Sequence, residues 1–226
     1  MHGVIAKAHD IPGHPLKHIV AIVPQGRKGV EAGLVDDLDG LHHFNVGQLS
    51  FDDVCIQSKE LLLDENGLAL AHRSITLFGE LNLAAVAFGV LKRSWSETLK
   101  YLDSDMGKSK DLVQIPSLNQ TLGRIQLALE ESEALCLTAA KSIDDGCPKE
   151  ARILAAKAKT CNLALTAILD CISIVGARDG SVWAGHVQRI NDVIQTLAPA
   201  GTSSVNMAQL GRIPTSIYRG VGMYDA

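Results

Sequence analysis

Residues 68–102, LALAHRSITLFGELNLAAVAFGVLKRSWSETLKYL, restrict the fold of this chain more than any other stretch. They are rich in good helix formers and contain no proline, which predicts one long helix. The same character continues downstream. After a polar break holding Gly107 and Pro116, the residues Leu118, Leu122, Ile125, Leu129, Cys136 and Ala140 recur at sums of three and four. That spacing is one face of a second helix, and Arg124, Glu130, Glu131 and Glu133 fall mostly away from it. DDGCP at 144–148 is a tight link, and its Pro148 suits the first turn of the next helix. A third helix, from 149 to about 175, carries Ala151, Leu154, Ala155, Ala158, Leu165, Ile168, Leu169 and Ile172 on a wide apolar surface. Its alanines permit close approach, so it should be central, with Gly176 and Gly180 closing it. A fourth helix is expected at about 182–198, and a shorter one at about 203–212 with Thr202 or Ser203 as N-cap.

The residues before this helical run read differently. GVIAKAH (3–9) and HIVAIVP (18–24) are short apolar runs separated by the turn-rich DIPGHP, and HFNVGQLSF (43–51) partly alternates, as strands do. GRKGVEAGLVDDLDG, punctuated by Gly26, Gly29, Gly33 and Gly40, reads as a loop. The expected class is therefore α+β, mostly α: a small partial β-domain at 1–62, then an antiparallel four-helix bundle at 63–226. Helices apolar on two sides usually bury one side against a neighbouring chain, so an oligomer is expected.

Composition narrows the function. The net charge of −4 and an aromatic content of 4% argue against a nucleic-acid partner. With so few aromatics the core must be Leu, Ile, Val and Ala. Five widely spaced cysteines without a CxxC pair read as free thiols in a reducing cytoplasm. There is no signal-peptide pattern, no uncharged apolar run approaches the roughly 20 residues of a membrane span, and the opening Met1 reads as a native start.

Few residues advertise chemistry. His9, His14 and His18 lie in a proline-containing run without helical spacing or a completing carboxylate or cysteine set, and His42 and His43 are adjacent, so exposed loop histidines are expected rather than a metal site. Glu80 sits among apolar residues on a helix. It could be a base with a raised pKa, a carboxylate paired with a bundle Arg or Lys, or a solvent-facing group. Asp192 follows Arg189 on the fourth helix and is expected to pair with it. The cysteines look like core filler. The loop in TLAPAGTSSVNM (196–207) contains no acid, base or metal ligand.

Several pieces, taken in order, resemble the acyl-CoA dehydrogenases. HIVAIVPQGRKGVE is similar to the family strand that ends in Val-Pro, and LSFDDVCIQSKELLLDENG to its Leu-x-Phe-x-Asp-Val stretch. LNLAAVAFGVLKRSWSETLKYL resembles the Ala-Ala-x-x-x-Gly helix, and AAKAK with Gly176 nineteen residues after Lys157 matches an Ala-Lys to Gly-Gly spacing. Asp192 stands at the family's distance from a Glu-Gly-Thr loop. The resemblance implies the later part of the middle β-domain followed by the C-terminal bundle, without the N-terminal helical domain.

In that family a carboxylate takes the α-proton of an acyl thioester while FAD takes the β-hydride. The resemblance puts this base at Ala200, which cannot accept a proton. Some members carry it on the first bundle helix, one residue before an Arg; those positions match Gly79 and Glu80 here. The one-residue offset leaves Glu80 as a surrogate base about 100° round an α-helix from the family position. Gly176, Gly201 and Thr202 fall at flavin-contacting positions. The family's Arg, Phe and Gln there match Asp105, Lys108 and Pro116, and its Gly-Gly-x-Gly turn matches Gly176-Ala177-Arg178-Asp179. A positioned base contributes about 10²–10⁴-fold in rate. The expectation is therefore a non-catalytic or accessory subunit in acyl-thioester metabolism, homo-oligomeric or bound to a fuller chain of the family. The alternative is a flavin-dependent dehydrogenase whose pocket, base and FAD site a partner chain completes for α,β-desaturation.

Overall fold

The computed structural model describes residues 1–7, 18–62, 67–104, 114–176 and 179–219. They form two compact units: Met1–Leu38 with His42–Ile75, and Asp39–Leu41 with Thr76–Ala226.

In the first unit, β1 (His2–Lys7) pairs antiparallel with β2 (His18–Val23) in unbroken register from His2 opposite Val23 to Lys7 opposite His18. β2 buries Val20, Ala21 and Val23, takes a bridge from Leu61 to Ala21, and packs against α1 (Gly67–Ser74). A second antiparallel pair joins β3 (Val30–Val35) to β4 (Gly47–Phe51), with a register shift between Ala32 and Val35. β3 corrects the loop expected across 26–40. Its VEAGLV has no apolar alternation, and only its first residue is even partly buried, so its extended state comes from pairing with β4 rather than from its own pattern. The predicted strand over 43–51 shortens to β4. The Arg27 guanidinium joins the Glu60 carboxylate and donates to the Cys55 carbonyl at 2.7 Å, tying the turn after β2 to the segment before α1.

A π-turn (Ile75–Glu80), in the second unit from Thr76 onward, follows α1 and leads into α2 (Leu81–Asp103). The single helix expected over 68–102 is thus interrupted by i→i+5 bonding. Then come α3 (Pro116–Asp144), α4 (Glu150–Val175), α5 (Gly180–Leu197) and α6 (Ser203–Arg219). Pro116 takes the first position of α3, where its missing N–H costs nothing. Pro148 lies one residue before the Lys149 cap, outside the first turn where it was expected. Gly176 closes α4 with φ +58°, whereas Gly180 opens α5 behind Asp179, whose Oδ1 accepts from the Ser181 and Val182 amides at 3.1 Å. α6 outruns its predicted end and continues through Pro214.

α4 is central: it packs against α2, α3, α5 and α6. The core joins Ala87 and Leu91 of α2, Ile125 and Leu129 of α3, Cys161, Ala164 and Ile168 of α4, and Val193 of α5. Alanines at 156, 158, 164 and 167 let neighbouring backbones close in; of the face expected from sequence, Leu154, Ala158 and Ile168 are buried, whereas Ala151 and Ala155 are half-buried and Leu169 is exposed. By length and composition, 71–103 and α4 could each cross a membrane. For α4 the same apolarity is that of a core helix surrounded by four neighbours.

Candidate functional site

Glu80 ends the π-turn, four residues before Ala84 on a stripe that continues through Ala87 and Leu91, all three fully buried. It is itself 2% exposed, which removes the solvent-facing alternative. Its Oε2 accepts a long hydrogen bond of 3.5 Å from Asn206 Nδ2 on α6. Burial pushes the carboxyl up to about 7 from an ordinary 4.5; the Lys157 ammonium pulls it back and Glu150 adds to the rise. Gly79 also lies in the π-turn, where successive residues turn through less than the α-helical 100°, so an angular offset reckoned on α-geometry does not hold there.

Lys157, in the second turn of α4, is also 2% exposed. Its Nζ donates to the Pro199 carbonyl at 2.6 Å and to the Gly201 carbonyl. These two carbonyls flank Ala200, which adopts φ +56° without being glycine. Burial lowers the pKa of Lys157, against the opposing pull of Cys161 and Glu80. Gly201 has φ +108°, and a Cβ there would sit 2.7 Å from Asn206 Oδ1, so only glycine fits. Thr202 then caps α6: its carbonyl accepts from Asn206 N at 2.9 Å and its hydroxyl from Val205 N at 3.4 Å. Glu80, Lys157, Asn206 and the 199–202 loop are one connected assembly. Lys157 served in the sequence only as a spacing landmark and Asn206 was not singled out, yet Lys157 lies in register with the core positions Leu154 and Cys161.

Asp192 does not pair with Arg189. Its Oδ1 accepts from the Leu41 amide at 2.8 Å, while Gln188 Nε2 donates to the Asp39 carbonyl at 3.1 Å. Residues 39–41 are thereby strapped to α5, with Leu41 at φ +50°. Arg189 instead reaches Glu97 of α2 at 2.7 Å, and Arg93 holds the other Glu97 oxygen at 2.7 Å. A longer-range carboxylate between two guanidiniums outcompetes the local i,i+3 partner. Burial pushes Glu97 up, but the guanidiniums outweigh it and hold its pKa down. A Cβ on Gly40 would lie 2.4 Å from the Asn191 carbonyl atoms. Gly40→Ala should therefore destabilise the helical unit by about 2 kcal/mol, as overpacking against backbone does; urea unfolding followed at 222 nm checks this.

His186 is fully buried, with Nε2 3.3 Å from Thr98 Oγ1. Because the threonine hydroxyl donates to the Ser94 carbonyl, Nε2 is the donor in this contact. Burial and the neighbouring Arg189 lower its pKa. Cys136, Cys161 and Cys171 are buried with raised pKa values, Cys171 to about 11, as inert core thiols are.

The four described residues at flavin-contacting positions do not by themselves fit FAD. Pro116 offers no donor, Gly201 is packed on Asn206, and the Thr202 hydroxyl is engaged in its cap. Gly176 keeps its positive φ. None of these four supplies a cation for a diphosphate. Asp105, Lys108, Ala177 and Arg178 lie outside the described residues, as do His9 and His14. Among the described residues no three of His, Cys, Asp and Glu are grouped as a metal would need. Two grooves open on the bundle's outside. One of about 490 Å³ runs between α2 and α3 past Phe88, Trp95 and Glu130; one of about 550 Å³ runs between α3 and α4 past Leu127 and Leu163. Neither is lined by Glu80, Lys157 or Ala200.

Residues 65–213 match the family described as acyl-CoA dehydrogenase, C-terminal domain, which defines the class of the helical unit. The chain belongs to the acyl-CoA dehydrogenase family. It is 24% identical over 191 residues to the short-chain specific acyl-CoA dehydrogenase of Megasphaera elsdenii, covering 84% of this chain and 50% of that one. The butyryl-CoA dehydrogenase structure from the same organism superposes with a TM-score of 0.84 at 22% identity, over 94% of this chain and 55% of that chain. PigA with FAD and proline superposes at 0.80 and 24% identity, over 94% and 55%. These likenesses show the fold, α+β and mostly helical. The chain spans about half the length of these relatives.

Proposed function

We propose that this chain is a non-catalytic or accessory member of its family, and that on its own it neither retains flavin nor oxidises acyl thioesters. The observation that carries the reading is Ala200. A residue with no proton acceptor stands at the family's base position, in a loop whose backbone is nonetheless rigidly held. Glu80 is no ready substitute, since it is buried and engaged with Asn206. Five free cysteines support a cytoplasmic location.

A specific observation favours the second reading, completion by a fuller partner chain. Leu34, Val35, Leu49 and Phe51 on β3 and β4 are all at least 40% exposed, and a two-stranded pair with so little burial is marginal alone. A chain supplying further strands would cover them, and could bring the base, FAD and part of an acyl-thioester pocket. Leu127, Leu137 and Leu169 on the outer bundle face support oligomerisation, with itself or with that partner.

Absorbance in the flavin bands, for the chain alone and co-expressed with a fuller dehydrogenase-like chain, separates these readings. The chain alone should be colourless. A yellow, substrate-bleachable chain overturns the accessory reading, and colour confined to the complex selects completion by a partner. Ala200→Glu should fold normally, because neither residue is more strained than the other at φ +56°, and should stay inactive in the isolated chain.

A further inference from the structure

We propose that Lys157 is the positioning residue of the 199–202 loop, pinning the backbone on both sides of residue 200 so that a side chain there is presented in one geometry whatever its chemistry. The meaning of position 200 rests on the family reading above; the positioning itself rests on contacts within the helical unit.

The Lys157 ammonium donates to the carbonyl before Ala200 and to the carbonyl after it, so both flanking peptides converge on one charged group. Bonds from an ionised donor are stronger than neutral ones. The loop needs such holding: Ala200 has a positive φ without being glycine, and strain of this kind persists only where the surroundings over-determine it. On the opposite side Asn206 presses on Gly201 and its side chain reaches Glu80, while Asn162 Nδ2 donates to Ser203 Oγ at 3.1 Å. Helix α4 thus holds the loop through Lys157, and α6 closes on it through Asn206, which Glu80 at the end of the π-turn engages in turn.

Stability alone does not explain a buried ammonium here. A methionine would fill similar space without desolvating a charge, and such replacements are often neutral or stabilising. What methionine cannot do is hold two carbonyls in fixed relation. The specific return on burying the charge is the loop's conformation.

The test is site-resolved amide hydrogen exchange on the full chain and its Lys157→Met variant. Exchange at the Val205 and Asn206 amides, both bonded to Thr202, should accelerate at least about tenfold, the loss of a charge-assisted bond, while the core amides at 125–136 of α3 keep their protection. Unchanged exchange at 205 and 206 overturns the proposal. So does an equal acceleration in α3, which marks a purely packing role. If Lys157→Met fails to fold, the wild-type chain provides the readout. The Lys157 ammonium should give a slowly exchanging Nζ resonance with cross-peaks to Ala200 and Gly201 protons; an ammonium in fast exchange with water, or lacking those cross-peaks, overturns it. None of these measurements reads flavin, so a yellow chain with a protected loop would sink the accessory reading and leave this one standing.

Discussion

Truncating Ile168 to alanine should destabilise the helical unit by about 3 kcal/mol, within the 2–5 kcal/mol span of buried Ile-to-Ala changes. Ile168 is fully buried on α4, in the cluster where α2, α3, α4 and α5 meet. The change removes three heavy atoms' worth of transfer energy. It also leaves a void that cannot easily collapse, because Ala128, Ala164 and Ala167 of the same cluster carry only a methyl, which has no rotamer with which to fill it. At roughly 2–4 °C per kcal/mol for a chain of this size, the melting temperature should fall by about 6–12 °C. Urea unfolding followed by circular dichroism at 222 nm should show a lower midpoint at unchanged slope. Leu127→Ala is the control: at 57% exposure on α3 it should shift stability by well under 1 kcal/mol. Equal losses in the two variants would mean that the outer face of α3 is covered in solution.

The helical unit was legible because helix burial obeys a period that sequence displays. Leu118, Leu122, Ile125 and Leu129 announced α3, and the alanines of α4 announced its central place. The same period carried information about the candidate site that its residue types concealed. Glu80 continues the stripe of Ala84, Ala87 and Leu91, so its burial follows from register alone. Lys157 sits between Leu154 and Cys161 on the core side for the same reason. Three things were not legible. β3 owes its strand state to a partner rather than to alternation. The π-turn at 75–80 changes hydrogen-bond spacing without altering the kind of residue used. Asp192 and Arg189 chose partners distant in sequence, Leu41 and Glu97, over each other, and spacing within one helix cannot rank such competitors. The expected Arg189–Asp192 bridge failed on that competition.

Replacing Glu80 with glutamine should abolish a pH dependence of stability of about 3 kcal/mol. The sign follows from linkage. The folded-state pKa is raised, to about 7 from 4.5, so between those values the folded chain keeps a proton that the unfolded chain has released. Stability from this group is fully present below pH 4.5, declines through the interval and is lost above pH 7. At 1.36 kcal/mol per unit the difference amounts to about 3 kcal/mol. Glutamine mimics the protonated acid, so the stability of Glu80→Gln relative to wild type should rise by that amount between pH 4.5 and pH 8. A relative stability constant across the range would mean that the carboxyl is solvated and ordinary. Asn206 suits both states of the native group. Its amide nitrogen donates to the carboxylate and, turned over, its Oδ1, which otherwise lacks a partner, accepts from the acid. Lys157→Met sharpens the test where it folds. Without the ammonium's pull, the midpoint of the wild-type profile should move above 7. Glu80 would then combine the pKa of a general base with a buried position facing Asn206, and it is the position that supports the accessory reading of this chain.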